Sequence, residues 1–129
     1  MTRENETMEQ AISILVVEDN DTDFLLLQRQ LLKLLPSSTC KRAINRSELI
    51  ELLQHPYDLI VSDYHLPDIE GENLLLLIAE SHFDTPCLLL SGSIESVTSL
   101  DTPAHVQARL QKGDTAALRA AVLAIVQQR

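Results

Sequence analysis

The sequence predicts an α/β domain whose parallel sheet is covered by helices on both faces, and three observations predict it. Short apolar runs rich in branched side chains end abruptly in polar or acidic residues. Segments with leucines at helical spacing lie between them, bounded by capping residues and prolines. The two kinds of segment alternate along the 129 residues with no low-complexity tract or linker. Strands joined through helices make βαβ crossovers, which places the strands in parallel and buries both faces of the sheet. The length suits one domain, expected over residues 11–129 after a polar N-terminal extension over residues 1–10.

Ile12 to Val17 reads as a fully buried strand that stops at Glu18-Asp19-Asn20-Asp21. A helix follows, favoured at its start by Asp21 and Asp23 through the macrodipole. Phe24, Leu27, Leu31 and Leu34 share its inner face, and Pro36 ends it. Thr39 to Ile44 is the second strand. Asn45 caps the next helix, with Glu48 at the third helical position in a capping-box-like arrangement, and Pro56 closes it. Asp58 to Ser62 is a strand, Pro67 to Gly71 a turn, Glu72 to Ser81 a helix and Cys87 to Leu90 the fourth strand. A weaker helix is expected over Ile94 to Leu100, cut short by Pro103, and a fifth, less hydrophobic strand near Ala108 to Gln111. Asp114 then caps a last helix with Leu118, Ala121, Val122 and Ile125 facing the core.

Hydrophobic residues make up 45% of the chain but aromatics only 3%, with no Trp, so aliphatic side chains must fill the core. Ten Lys and Arg against 19 Asp and Glu give a net charge of −9, which argues against nucleic acid as a partner and for cations or basic protein surfaces. No apolar run is long enough to span a bilayer and Met1 to Gln10 lacks the apolar stretch of a secretory signal, so no membrane insertion and a cytoplasmic location are expected. Cys40 and Cys87 lack metal-site spacing and are expected as reduced, buried small hydrophobes. The four histidines lack it too, and His55 and His82 are expected at the surface.

In a doubly wound sheet, ligands bind outside the carboxyl ends of the strands, so those ends carry the functional information. Here they deliver Glu18 and Asp19, Asp63, Ser91 with Gly92, and Lys112. Three carboxylates converging in one pocket repel one another unless a cation neutralises them. Mg²⁺ meets that need, because it takes oxygen ligands, requires only one or two carboxylates and leaves room for a phosphoryl group. Asp63 is then a nucleophile able to form an aspartyl-phosphate, with Mg²⁺ and Lys112 compensating the charge. Ser91 can donate to a phosphoryl oxygen, and Gly92 leaves the approach open.

These residues sit in Leu15-Val16-Val17-Glu18-Asp19-Asn20, Asp58-Leu59-Ile60-Val61-Ser62-Asp63, Leu66-Pro67-Asp68-Ile69-Glu70-Gly71, Leu88-Leu89-Leu90-Ser91-Gly92 and Lys112. In that order, on successive βα units, the motifs resemble the receiver domain of two-component response regulators. The resemblance implies a flavodoxin-like, doubly wound, five-stranded parallel sheet of order 2-1-3-4-5, an order that the receiver fold itself exemplifies. It implies Asp63 as phosphoacceptor, Asp19 as a direct Mg²⁺ ligand, Glu18 acting through a metal-bound water and the His65 backbone carbonyl as the third protein ligand. It further implies Ser91 as the switch hydroxyl and Lys112 as the cation that pairs with the phosphoryl group. His65 and Ser93 fall at positions that tune autodephosphorylation in this family.

Three features depart from the family pattern: Gly113 replaces the proline after the lysine, Arg109 stands where the aromatic switch is expected, and His105-Val106 replace a Gly-Ala pair. The functional expectation is a single-domain receiver that takes a phosphoryl group on Asp63 from a phosphohistidine on a sensor histidine kinase or histidine phosphotransfer protein. Because the chain ends soon after its last helix, signalling is expected through altered binding to a downstream protein or by phosphorelay. It would catalyse its own phosphorylation and dephosphorylation without being a conventional enzyme. The competing reading is a pseudo-receiver acting as a constitutive interaction module. An aspartate-nucleophile phosphatase is disfavoured because His65 stands where a second acid is needed, and a flavin module because acidic strand ends would repel the flavin's phosphate.

Overall fold

The computed structural model describes residues 11–82, 84–92 and 106–128. Its elements, in chain order, are β1 (Ser13–Val17), α1 (Asp21–Leu34), β2 (Thr39–Ala43), α2 (Arg46–Leu52), β3 (Leu59–Asp63), β4 (His65–Leu66), β5 (Ile69–Glu70), α3 (Gly71–His82), β6 (Cys87–Ser91), β7 (Val106–Gln111) and α4 (Thr115–Gln127). Five strands form one parallel sheet of order β2-β1-β3-β6-β7, the flavodoxin-like order expected. The expected helix over Ile94 to Leu100, Ser93, His105 and the N-terminal extension lie outside the described residues.

Alternation along the strands divides the core. Ile14 and Val16 of β1, Leu59 and Val61 of β3, and Leu88 and Leu90 of β6 pack under α1 and α4, against Leu27, Leu31, Leu118 and Val122. The intervening residues Leu15, Val17, Ile60 and Cys87 face α2 and α3, meeting Leu49, Leu74 and Ile78. Every residue of β3 and β6 is buried, as continuous apolar runs of central parallel strands require. The edge strand β7 alternates half-buried with exposed residues, which explains its weak hydrophobic signal.

The helix starts follow local chemistry. The Asn20 side chain accepts the Asp23 N–H at 2.9 Å, and Asp114 accepts the Ala117 N–H at 3.1 Å. At α2, Asn45 accepts the Glu48 N–H at 2.9 Å while Glu48 Oε1 accepts the Ile44 N–H at 3.1 Å, so the box closes one residue earlier than its standard form. Two details differ from expectation. The segment after β3 folds into a small antiparallel hairpin of β4 and β5, pairing His65 with Glu70 and Leu66 with Ile69, before Gly71 opens α3 with φ +63°. Gly71 is needed there twice over, since an added Cβ would also meet the Tyr64 hydroxyl at 3.2 Å.

The second correction concerns His82, which is buried rather than on the surface. Its ring nitrogens lie 3.0 Å from Thr85 Oγ1 and 2.9 Å from the Leu53 carbonyl, and its ring packs against Tyr57. The histidine thus ties the end of α3 to the end of α2, a polar closure that helix-end position alone does not reveal. His55 is exposed as expected.

Cys87 lies at the start of β6 with no exposed surface, and burial pushes its thiol from the ordinary 9.0 up to about 12. Between pH 9.0 and about 12 the unfolded chain loses this proton and the folded chain keeps it, so stability falls as pH rises through that window. Urea denaturation on both sides of the ordinary thiol pKa should show a shallower alkaline decline for Cys87→Ala than for wild type. Equal slopes in the two proteins would refute the assignment.

Candidate functional site

The strand order sets the site. β1 and β3 are neighbours whose chains leave the sheet in opposite directions, so a crevice forms above their carboxyl ends. Glu18 follows β1, Asp63 ends β3, and one carboxylate oxygen from each of Glu18, Asp19 and Asp63 lies within 4.8 Å of the others. Glu18 is buried, Asp63 almost so, and Asp19 is exposed at the mouth. Ser91 ends β6 beside Asp63, since Leu90 pairs with Asp63 in the ladder; the serine is buried. A Cβ added to Gly92, the next residue, would meet nothing within 4 Å.

The β6–β7 ladder continues past its last strand pair. The Lys112 N–H donates to the Ser91 carbonyl at 2.8 Å, and Gly113 turns the chain away with φ +88°. The lysine side chain then reaches across the crevice. Its ammonium lies 2.7 Å from Glu18 Oε1, 3.0 Å from Asp23 Oδ2 and 3.1 Å from Asp63 Oδ2. Asp63 Oδ1 accepts the Tyr64 N–H at 2.7 Å, and Glu18 Oε2 accepts the Asn20 N–H at 3.2 Å.

Electrostatics follow from this packing. Burial pushes the Glu18 carboxyl above its ordinary value and the Asp63 charge adds to the rise, while hydrogen bonds from Lys112 and the Asn20 N–H oppose it. Burial alone would lower the Lys112 pKa, but the bonds to Glu18, Asp23 and Asp63 together outweigh it and raise it, so the lysine stays cationic. The crevice is a dense anionic pocket already partly neutralised by a protein ammonium. Three carboxylate oxygens so close together are a hard-cation donor set that fits Mg²⁺ chemically.

Other expected residues lie nearby in different ways. His65, in β4, is exposed and its ring meets Tyr64 edge-on at 5.0 Å. Arg109 is exposed on β7 and pairs with Leu89. Two residues of the site escape the sequence reading. Asp23 appears in the sequence only as an acid in the first turn of α1. Arg42 of β2 donates from Nε to the Glu18 carbonyl at 2.9 Å and from Nη2 to the Asp19 carbonyl at 3.1 Å and to Asp21 Oδ1 at 2.8 Å. Its guanidinium also covers the Phe24 ring, 4.7 Å from the centroid. The pairing of Val16 with Arg42 places this guanidinium beside the acidic loop, a juxtaposition visible only once register is known.

A doubly wound parallel sheet with an acidic trio and a lysine over its switch point is the architecture of receiver-type phosphoacceptor domains. The chain belongs to the response regulator receiver domain family, whose model matches residues 14–122. It is 30% identical over 88 residues to the two-component response regulator ARR14 of Arabidopsis thaliana, covering 67% of this chain and 23% of that protein. It is 32% identical over 82 residues to ORR21 of Oryza sativa, covering 63% and 12% respectively. The chain thus spans less than a quarter of the length of these relatives. In structure it resembles the signal receiver domain of an HD domain-containing protein from Pseudomonas fluorescens Pf-5, with a TM-score of 0.78, 24% identity and coverage of 92% and 97%. It also resembles the response regulator protein TrrA of Thermotoga maritima in complex with Mg²⁺ and BeF, with a TM-score of 0.76, 22% identity and coverage of 88% and 98%. At those identities the structural likeness is one of fold.

Arg42 fixes the backbone that carries Glu18 and Asp19, so its loss should be felt more than loss of its exposed carboxylate partner. Arg42→Ala should lower stability by about 1–2 kcal/mol, as expected for charged hydrogen bonds to backbone carbonyls of which that of Glu18 is partly buried. Asp21→Asn should change it by less than about 0.5 kcal/mol. Chemical denaturation of the two variants checks the ranking; equal losses would place the effect in the ion pair.

Proposed function

We propose that this receiver domain accepts a phosphoryl group on Asp63 in a Mg²⁺-dependent reaction. The donor is a phosphohistidine on a sensor histidine kinase or histidine phosphotransfer protein, a setting that implies the cytoplasm. Output follows through altered protein binding or by onward transfer. The observation that carries the reading is the state of the Asp63 carboxylate: it ends a buried strand, with one oxygen held by the Tyr64 N–H and the other by Lys112, inside an acidic trio. A carboxylate held at both oxygens is oriented before the donor arrives, and its remaining lone pairs are available to an incoming phosphorus.

In the proposed step a carboxylate oxygen of Asp63 forms a bond to phosphorus as the P–N bond to the donor imidazole breaks, and the electron pair of that bond leaves with the imidazole. Asp19 and Asp63, with the His65 backbone carbonyl, would hold Mg²⁺, and Glu18 would act through a metal-bound water. When bound, the ion neutralises charge on the phosphoryl oxygens. Lys112 pairs with the same developing charge, Ser91 donates its hydroxyl and Gly92 leaves the entry unobstructed. The acylphosphate adds about −1.5 to −2 charges to the crevice, and redistribution of Lys112 and Ser91 toward that charge is the source of the signal.

Mass spectrometry after treatment with Mg²⁺ and a small phosphodonor should find one acid-stable, base-labile phosphoryl group, absent from Asp63→Asn. Full labelling of the Asn variant at another residue would sink the reading, and absence of any label on wild type would favour a constitutive interaction module. Saturation with Mg²⁺ at about a hundred times its Kd should stabilise wild type by roughly 2.7 kcal/mol through linkage. Asp19→Ala should lose most of that gain. An unchanged melting temperature for wild type in excess Mg²⁺ would exclude the metal site.

A further inference from the structure

An ammonium has three N–H donors, and in Lys112 each is matched by a different carboxylate, Glu18, Asp23 and Asp63. Two of these acids also belong to the trio suited to a divalent ion, so lysine and metal compete for Glu18 and Asp63. Asp23 stands apart. It comes from the first turn of α1 rather than a strand end, its side chain is 42% exposed, and it lies outside the trio. A cleft of about 130 Å³ beside it, bordered by Glu18, Asp23, Lys112 and Leu118, gives the ammonium room to shift toward α1.

We propose that Asp23 is a positioning residue for the reaction at Asp63: it holds the Lys112 ammonium at the α1 side of the crevice, so that Mg²⁺ can take its carboxylates while the lysine stays within reach of the phosphoryl group. The inference rests on the phosphoacceptor reading and extends it to a residue outside the strand ends. Without Asp23 the ammonium has only Glu18 and Asp63 as ionic partners among the described residues, and the metal must strip it from them. Asp23 therefore acts on metal affinity through Lys112, and the bond-forming step itself is left to Asp63.

The test is Mg²⁺ binding by titration calorimetry, together with the Mg²⁺ dependence of phosphodonor labelling, for Asp23→Asn and Asp23→Glu in wild-type and Lys112→Met backgrounds. Asp23→Asn should weaken Mg²⁺ binding and raise the Mg²⁺ needed for half-maximal labelling by roughly five- to tenfold, the size of coupling found between charged groups in contact. The labelling rate at saturating Mg²⁺ should stay within about twofold. Asp23→Glu should restore most of the affinity, and in the Lys112→Met background Asp23→Asn should have little further effect on Mg²⁺. Asp23→Ser gives the same test should the Asn variant fold poorly.

Unchanged Mg²⁺ affinity in Asp23→Asn would overturn the proposal. So would an equal loss in both lysine backgrounds, which would reduce Asp23 to a distant negative charge. Failure of wild type to bind Mg²⁺ would overturn it along with the metal site. If the Mg²⁺ pattern appears but Asp63 takes no label, the phosphoacceptor reading falls while the hold of Asp23 on Lys112 stands.

Discussion

Much of this structure depends on one electrostatic requirement: carboxylates that the fold forces together at the carboxyl end of a parallel sheet must be neutralised by a cation that the fold also supplies. Glu18 and Asp63 are both buried, and burial together with the neighbouring Asp63 charge pushes the Glu18 carboxyl above its ordinary value. Lys112 answers with three carboxylate bonds from one ammonium. The same bonds make the pocket responsive, because any stronger cation or any new anion must renegotiate the position of the lysine. In the proposed reaction, a pocket whose charges were already fully matched by immobile partners would give an arriving phosphoryl group nothing to rearrange.

The sheet makes this concentration of charge tolerable. β3 and β6 are buried along their whole length and β1 nearly so; their polar residues Ser13, Asp63 and Ser91 stand at strand ends, and Ser62, one residue inside β3, donates its hydroxyl to the Asp63 carbonyl. Polar chemistry is therefore pushed to the strand ends. There the backbone supplies what side chains do not: N–H groups of Asn20 and Tyr64 fix Glu18 and Asp63, and Arg42 grips the carbonyls of Glu18 and Asp19. The backbone hold on the acids contrasts with the long side chain of Lys112, which reaches the crevice on a flexible four-carbon stem. Its backbone is nonetheless pinned by the Ser91 carbonyl, so movement is limited to the four-carbon stem.

Legibility in the sequence tracks the range of the interaction involved. The apolar run of β1 and its abrupt acidic end, the Asn45 and Asp114 caps, and the inner face of α1 at Leu27 and Leu31 are local patterns, and each appears where those patterns place it. The acidic trio is long-range, yet it is legible because the rule that strand ends converge in a doubly wound sheet turns three distant residues into neighbours. Arg42 and Asp23 have no such rule. The role of Arg42 arises from β1–β2 register, and that of Asp23 from which side of α1 faces a lysine 89 residues away. His82 escapes for a related reason: a position at the end of α3 reads as solvent-facing unless the Leu53 carbonyl beside its ring is already in place. The β4–β5 hairpin is invisible in the sequence because two-residue strands carry no periodicity to detect.

The departures at β7 acquire a physical sense from the edge position of that strand. Its alternating exposure puts Arg109 on the solvent side, where a guanidinium remains hydrated at no cost; turning it inward would require burying a charge among Leu89, Leu90 and Leu110 with no carboxylate from the ladder to receive it. If the domain signals as proposed, an inward swing at this position would be opposed by desolvation, whereas displacement of Lys112 and Ser91 at the end of the β6–β7 ladder would not. The two are joined directly by the Lys112 N–H to Ser91 carbonyl bond. Under the proposed function, a rearrangement that begins with the lysine would therefore reach the end of β6 through one hydrogen bond, which makes the charge balance of the crevice and the position of Ser91 parts of one equilibrium.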